Sequence, residues 1–164
     1  MILPNENGIT TVIRLGLENA GISSNAVDYI SAHATATKMG DIIEARSIRK
    51  IFGNRPMVTG LKGYMGHTMA ACGAIETVMT LYMMAEGFVA PTLNLKQVDK
   101  RCSSIGHVTE IKEKISVLHK FKISLSAGSI PHCSLSAHKP ERNQSGRIKL
   151  NQEPSDRNIS LLNK

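Results

Sequence analysis

His33-Ala34-Thr35-Ala36-Thr37 and Lys62-Gly63-Tyr64-Met65-Gly66-His67 are the stretches whose reading decides the fold. A short β-rich run, residues 27–31, leads into the first, and another, residues 56–61, leads into the second. Each histidine therefore stands where a strand or loop gives way to a helix. Residues 41–52 read as an amphipathic helix, with Ile42, Ile43, Ala45, Ile48 and Ile51 inward, Glu44, Arg46, Arg49 and Lys50 outward, and Gly53 as its stop. Residues 67–86 predict one long helix, begun by His67 and too apolar all round for a surface.

Further out the pattern continues. Ile9, Val12, Ile13, Leu15 and Leu17 recur near helical spacing over residues 7–19, and Gly21 suits the C-terminal cap. Residues 88–95 are extended, because Pro91 excludes helix, and residues 105–108 and 114–118 predict two final short strands. The order α, β, α, β, α, β, β implies crossover units and an α/β fold with helices layered around a largely parallel sheet. Sites in such sheets lie beyond the carboxyl ends of the strands, where His33 and Lys62 fall.

The 164 residues suit one domain or part of a larger one, and an apolar fraction of 41% can support a core. The net charge is +7, and Lys and Arg exceed Asp and Glu both up to Phe121 and beyond it. The basic tail reads as solvated rather than as a nucleic-acid or membrane contact. Cys72, Cys102 and Cys133 show no paired spacing, which points to a reducing compartment. The N-terminus lacks a signal-peptide pattern, and residues 70–85 contain Glu76 and are too short and polar to span a bilayer. A cytoplasmic location is expected. His67 and Cys72 lie off one helical face, so no metal site is expected, and there is no GxGxxG or Walker loop.

Two imidazoles at such junctions, among small residues, suit hydrogen-bond donation to one developing oxyanion. Either histidine alone reads rather as a loop residue bonded to backbone, and it is the two together, each at a strand-to-helix junction, that favour the functional reading. At a helix N-terminus His67 would stay neutral, since the dipole opposes a second positive charge. Glu76 on an apolar helix calls for a partner, and Lys62 is the candidate; a structural pair and a catalytic one fit the sequence alike. Met79, Met83 and Met84 read as core.

The run Tyr29-Ile30-Ser31-Ala32-His33-Ala34-Thr35-Ala36-Thr37, with Gly40-Asp41, resembles the HGTxT element of β-ketoacyl-[acyl carrier protein] synthases. Leu61-Lys62, then Gly66-His67-Thr68-Met69-Ala70-Ala71-Cys72-Gly73-Ala74-Ile75-Glu76, resembles their lysine loop and GHxxGAxGxxE helix. Ala90-Pro91-Thr92-Leu93-Asn94-Leu95 is similar to their proline–threonine–x–asparagine segment.

The resemblance implies most of the C-terminal half of a thiolase-like fold. It implies decarboxylative condensation of malonyl-carrier protein with an acyl thioester, in fatty-acid or polyketide synthesis. His33 and His67 would hold the thioester oxygen, and Lys62, paired with the supporting Glu76, would order the site. Thr35 and Thr37 would bond the pantetheine arm. The implied partners are acyl carrier protein and either the N-terminal half that bears the nucleophilic cysteine or a homodimer partner. No cofactor is implied beyond the carrier's phosphopantetheine. A non-catalytic binding module of this fold, and a thiolase-type enzyme acting on coenzyme A esters, are the alternatives.

Three departures bear on this. Ala34 and Ala36 replace residues usually Gly, or Ser or Gly, which reads as a mild change. Cys72 takes an alanine-like position and is no substitute nucleophile, so the chain alone is expected to be inactive. The family ends on N-F-x-F-G-G-x-N, where this chain runs Lys122-Ile123-Ser124-Leu125-Ser126-Ala127-Gly128-Ser129-Ile130-Pro131-His132-Cys133-Ser134-Leu135. Back-translated with suitable synonymous codons and read one base earlier, the segment becomes N-F-A-F-G-G-V-N-T-A-L-L-V. The expected organisation is a partial synthase domain over residues 1–121 and a frameshifted, unstructured tail over residues 122–164, lacking the family's final strand.

Overall fold

A computed structural model describes residues 5–113, 120–124 and 132–134. Helix α1, Glu6–Ala20, starts at Asn5, whose side chain accepts the Asn7 and Gly8 N–H groups. It stops at Gly21, which takes the left-handed conformation at φ 63°. Strand β1, Tyr29–Ser31, follows, then α2, Gly40–Phe52, and β2, Met57–Thr59. A single helical turn, α3, Lys62–Met65, and a 3-10 turn, Met69–Ala71, precede α4, Cys72–Glu86. Strands β3, Gly106–His107, β4, Lys120–Ser124, and β5, His132–Ser134, complete the sheet.

The sheet runs β3-β2-β1-β4-β5. All pairings are parallel except the antiparallel β4–β5 edge, so it is mixed and largely parallel. Ile30 pairs with Val58 on one side and Phe121 on the other. Successive side chains on a strand take opposite faces. Ile30 and Val58 accordingly join Ile9, Ile13 and Leu17 of α1 and Ile42, Ala45, Ile48 and Phe52 of α2 in one core. Tyr29 turns the other way and packs with Leu61, Met83, Met84, Val89 and Val108. Two helical layers thus enclose the central strands.

Several elements differ from the sequence reading. Helix α4 begins at Cys72 rather than His67. Left-handed backbone at Gly66 (φ 73°) and Met69 (φ 51°) breaks the helical path between Lys62 and Cys72. Nor is α4 enclosed all round: Val78 and Tyr82 are 65% and 61% exposed, and Ile75 and Leu81 lie on the same open face. Met83 and Met84 are buried. Glu44, read as outward, is 5% exposed. Residues 88–95 contribute a single antiparallel bridge, Val89 to Lys112, rather than a strand.

The final strand expected to be missing is present in backbone form. Lys120–Ser124 lies beside β1 and His132–Ser134 beside it in turn. Parallel pairing uses only backbone donors and acceptors, and Lys-Phe-Lys-Ile-Ser alternates as a strand does. The strand expected over residues 114–118, and most of the tail, lie outside the described residues.

Among the described residues no helix is long and apolar enough to cross a membrane.

Ile48 is fully buried and Val78 is open. Ile48→Ala should therefore cost about 2–5 kcal/mol in urea denaturation, while Val78→Ala stays within about 0.5 kcal/mol. Equal losses would contradict the packing described.

Candidate active site

The site forms where β1 and β2 leave the sheet. Ala32 N–H bonds Thr59 O at 2.8 Å, continuing the ladder one step beyond the strands. His33 follows on one chain and Gly60-Leu61-Lys62 on the other.

Glu44 on α2 fixes the first loop. Its Oε1 accepts the His33 N–H at 2.7 Å and its Oε2 accepts the Ala34 N–H at 2.9 Å. Burial pushes this carboxyl up to about 7, against the two N–H bonds that favour the charged form; Asp41 raises it further and Lys62 lowers it. Sequence reasoning missed Glu44 by counting it with the arginines of α2. The available signal was Ile48, one helical turn on and therefore on the same face.

Ala34 and Ala36 both take left-handed backbone, at φ 36° and 58°. The change from glycine is thus not mild, since an L-residue there costs roughly 1–2 kcal/mol. The Thr35 and Thr37 hydroxyls lie 3.2 Å apart, in hydrogen-bond contact. A Cβ on Gly40 would collide with Thr37 Oγ1, so a side chain there would have to displace that hydroxyl.

Lys62 opens α3 and donates from Nζ to Glu76 Oε1 at 2.7 Å. The two side chains are 7% and 0% exposed. Removing one member of so buried a pair strands the other charge.

His67 lies beyond Gly66, five residues short of α4. Its Nδ1 accepts the Met69 N–H at 3.1 Å, and Cys72 Sγ is 3.6 Å from the same atom. An Nδ1 engaged as acceptor puts the proton of the neutral ring on Nε2. Contrary to expectation His67 does not open the long helix, and the Met69 N–H sets which ring nitrogen carries the proton.

The His33 and His67 rings meet edge to face, with centroids 5.3 Å apart and planes at 88°. Burial, then the charges of Lys62 and His67, lower the His33 pKa to about 4. His33 is therefore neutral near pH 7, and its buried Nδ1 has no hydrogen-bond partner among the described residues. Cys72 and Cys102 are both buried free thiols. No group of three or more His, Cys, Asp or Glu among the described residues is placed to hold a metal ion.

The arrangement brings His33, Lys62, His67 and Glu76 together, with Thr35 and Thr37 on the exposed loop. Two imidazoles backed by a buried cation can place two donors on one developing oxyanion.

The fold is shared with ketosynthases of the thiolase-like class. A β-ketoacyl synthase from Burkholderia phymatum superimposes with TM-score 0.71 and 33% identity, covering 82% of this chain and 33% of its own. The ishigamide ketosynthase/chain length factor gives TM-score 0.72 and 30% identity, with 80% and 32% covered. The Coxiella burnetii 3-oxoacyl-[acyl-carrier-protein] synthase 2 is 39% identical over 102 residues, 60% of this chain and 25% of the relative. Residues 1–96 match the family model described as beta-ketoacyl synthase, C-terminal domain. The chain belongs to the β-ketoacyl synthase family and carries its C-terminal domain. It spans about a quarter to a third of the length of these relatives.

His33 should titrate with a midpoint of about 4 in NMR of ¹³C-labelled histidine, against 6.5 for a solvated ring. Between those values the unfolded chain holds the proton that the folded chain lacks. The stability contributed by His33 is thus complete above pH 6.5 and is lost as pH falls through about 4. His33→Asn should flatten that acid limb of the stability profile. A midpoint near 6.5 would show a solvated imidazole.

Proposed function

We propose that this domain supplies the oxyanion-binding half of a 3-oxoacyl-[acyl-carrier-protein] synthase. The observation that carries the reading is the edge-to-face His33–His67 pair backed by the buried Lys62–Glu76 ion pair. His33, neutral at physiological pH, and His67, with its proton on Nε2, would both donate to the thioester oxygen of a malonyl group. Loss of carbon dioxide sends the electron pair of the breaking C–C bond into that carbonyl, and the two imidazoles stabilise the enolate. The enolate carbon then attacks an acyl thioester on a cysteine of the N-terminal half. A new C–C bond forms, the C–S bond breaks, and the thiolate leaves to take a proton from water. Lys62 raises the positive potential around the enolate, and Glu76 holds it in place.

The acyl carrier protein is the expected carrier of the malonyl group. One solved neighbour is a type II polyketide synthase acyl-carrier protein in complex with its ketosynthase, 28% identical to this chain with TM-score 0.66. Thr35 and Thr37 would bond the pantetheine arm that carries the thioester. The open face of α4, with Ile75, Val78 and Tyr82, is the surface offered to the complementary half.

The 164 residues on their own should give no 3-oxoacyl product from acyl and malonyl substrates. Reconstituted with a cysteine-bearing N-terminal half, the enzyme should lose roughly 100- to 1000-fold in condensation on His33→Ala or His67→Ala. Acyl loading of the cysteine should fall less. Product formation by this chain alone, or equal loss in both steps, would overturn the assignment.

The same reading treats residues 122–164 as out-of-frame translation of the family's ending. Sequencing the gene across the codons for His119 to Lys122 should reveal a one-base insertion or deletion whose correction restores N-F-A-F-G-G. A reading frame confirmed intact, together with loss of function on deleting residues 123–164, would reject this.

A further inference from the structure

One step beyond the Ala32–Thr59 bond, Ala34 on the His33 loop stands against Gly60 on the Lys62 loop. A Cβ on Gly60 would lie 2.7 Å from the Ala34 Cβ, closer than two such carbons approach. Its other neighbours, Thr92 Cγ2 at 3.8 Å and Ala34 O at 4.0 Å, leave ordinary room. Gly60 is not among the positive-φ glycines, so its backbone does not call for glycine. Ala34, by contrast, keeps a methyl at φ 36°, where glycine would be at ease. The chain thus has glycine where the backbone accepts any residue, and a side chain where the backbone resists one. Neither partner is free to withdraw. Glu44 holds the Ala34 N–H, and Thr92 Oγ1 accepts the Gly60 N–H at 3.0 Å.

We propose that Ala34 and Gly60 are a positioning pair: the Ala34 methyl seats in the notch left by Gly60 and sets the spacing between the His33 loop and the Lys62 loop. His33 immediately precedes Ala34, and Lys62 lies two residues past Gly60, so the fit fixes how deeply the imidazole sits beside the ammonium. The pair's bearing on catalysis rests on reading His33 as an oxyanion donor; the packing does not.

The test uses the full chain with Gly60→Ala, Ala34→Gly and the double variant, followed by the His33 titration in ¹³C-histidine NMR and by urea denaturation. Gly60→Ala should lower the denaturation midpoint. It should also move the His33 titration up from about 4 by roughly one unit or more, as the ring loses its burial. Ala34→Gly in the same chain should bring both back. Loss of stability alone would leave the titration where it is, so the pairing of the two readouts separates positioning from mere support. An unmoved His33 in Gly60→Ala, or a double variant as displaced as the single, overturns the proposal. If Gly60→Ala does not fold, the double variant must fold with His33 near its wild-type midpoint, and its failure to fold also overturns it. No step reads turnover, so an inactive chain leaves this result untouched.

Discussion

The parallel pairing of Tyr29–Ser31 with Met57–Thr59 is the constraint on which the rest depends. It places the carboxyl ends of two strands side by side, so that chain segments far apart in sequence emerge together. It also assigns faces. A slip of one residue would send Ile30 and Val58 toward α4 and Tyr29 into the α1–α2 core. That shift is unfavourable on both sides, because Tyr29 carries a hydroxyl that must be satisfied. In the observed register it meets Thr59 Oγ1 at 2.5 Å, and burial pushes the phenol up to about 12. The register that buries the apolar side chains is therefore also the one that satisfies the buried phenol.

Charge is distributed over the site with the same economy. Lys62 and Glu76 neutralise each other inside the protein, so the cation's field reaches the histidines without an unbalanced charge in the core. Burial first, and then that field, keep His33 uncharged near pH 7. Glu44 acts on backbone instead: both of its oxygens are committed to the N–H groups of His33 and Ala34. This clamp holds Ala34 in a conformation it would otherwise leave. Helix α2 thus anchors the His33 loop at its buried end, and its amphipathic pattern conceals that role.

Much of this was legible from residue patterns. Helices α1 and α2 were read to within a residue or so, because their apolar spacing and terminal glycines act locally. The strands leading into His33 and Lys62 were read from β-rich runs, and the Lys62–Glu76 pair from the cost of a lone carboxylate on an apolar helix. Glu44 and the open face of Val78 and Tyr82 were misread because both depend on what lies across from a residue, which a helical wheel does not contain. The late start of α4 comes instead from the left-handed backbone at Gly66 and Met69. The β4 and β5 strands were missed because the segment was judged by its departure from a family pattern, whereas strand pairing is made by backbone.

The sequence by itself determined which polar residues are available to the site, and roughly which local elements carry them. Propensity, capping and periodicity operate over a few residues and are written there. Only the tertiary structure decided that His33 meets His67 edge to face, that the Met69 N–H sets which nitrogen of His67 carries the proton, and that Ala34 needs a glycine opposite. Those outcomes follow from long-range packing and burial, which exist only once β1 and β2 are in register.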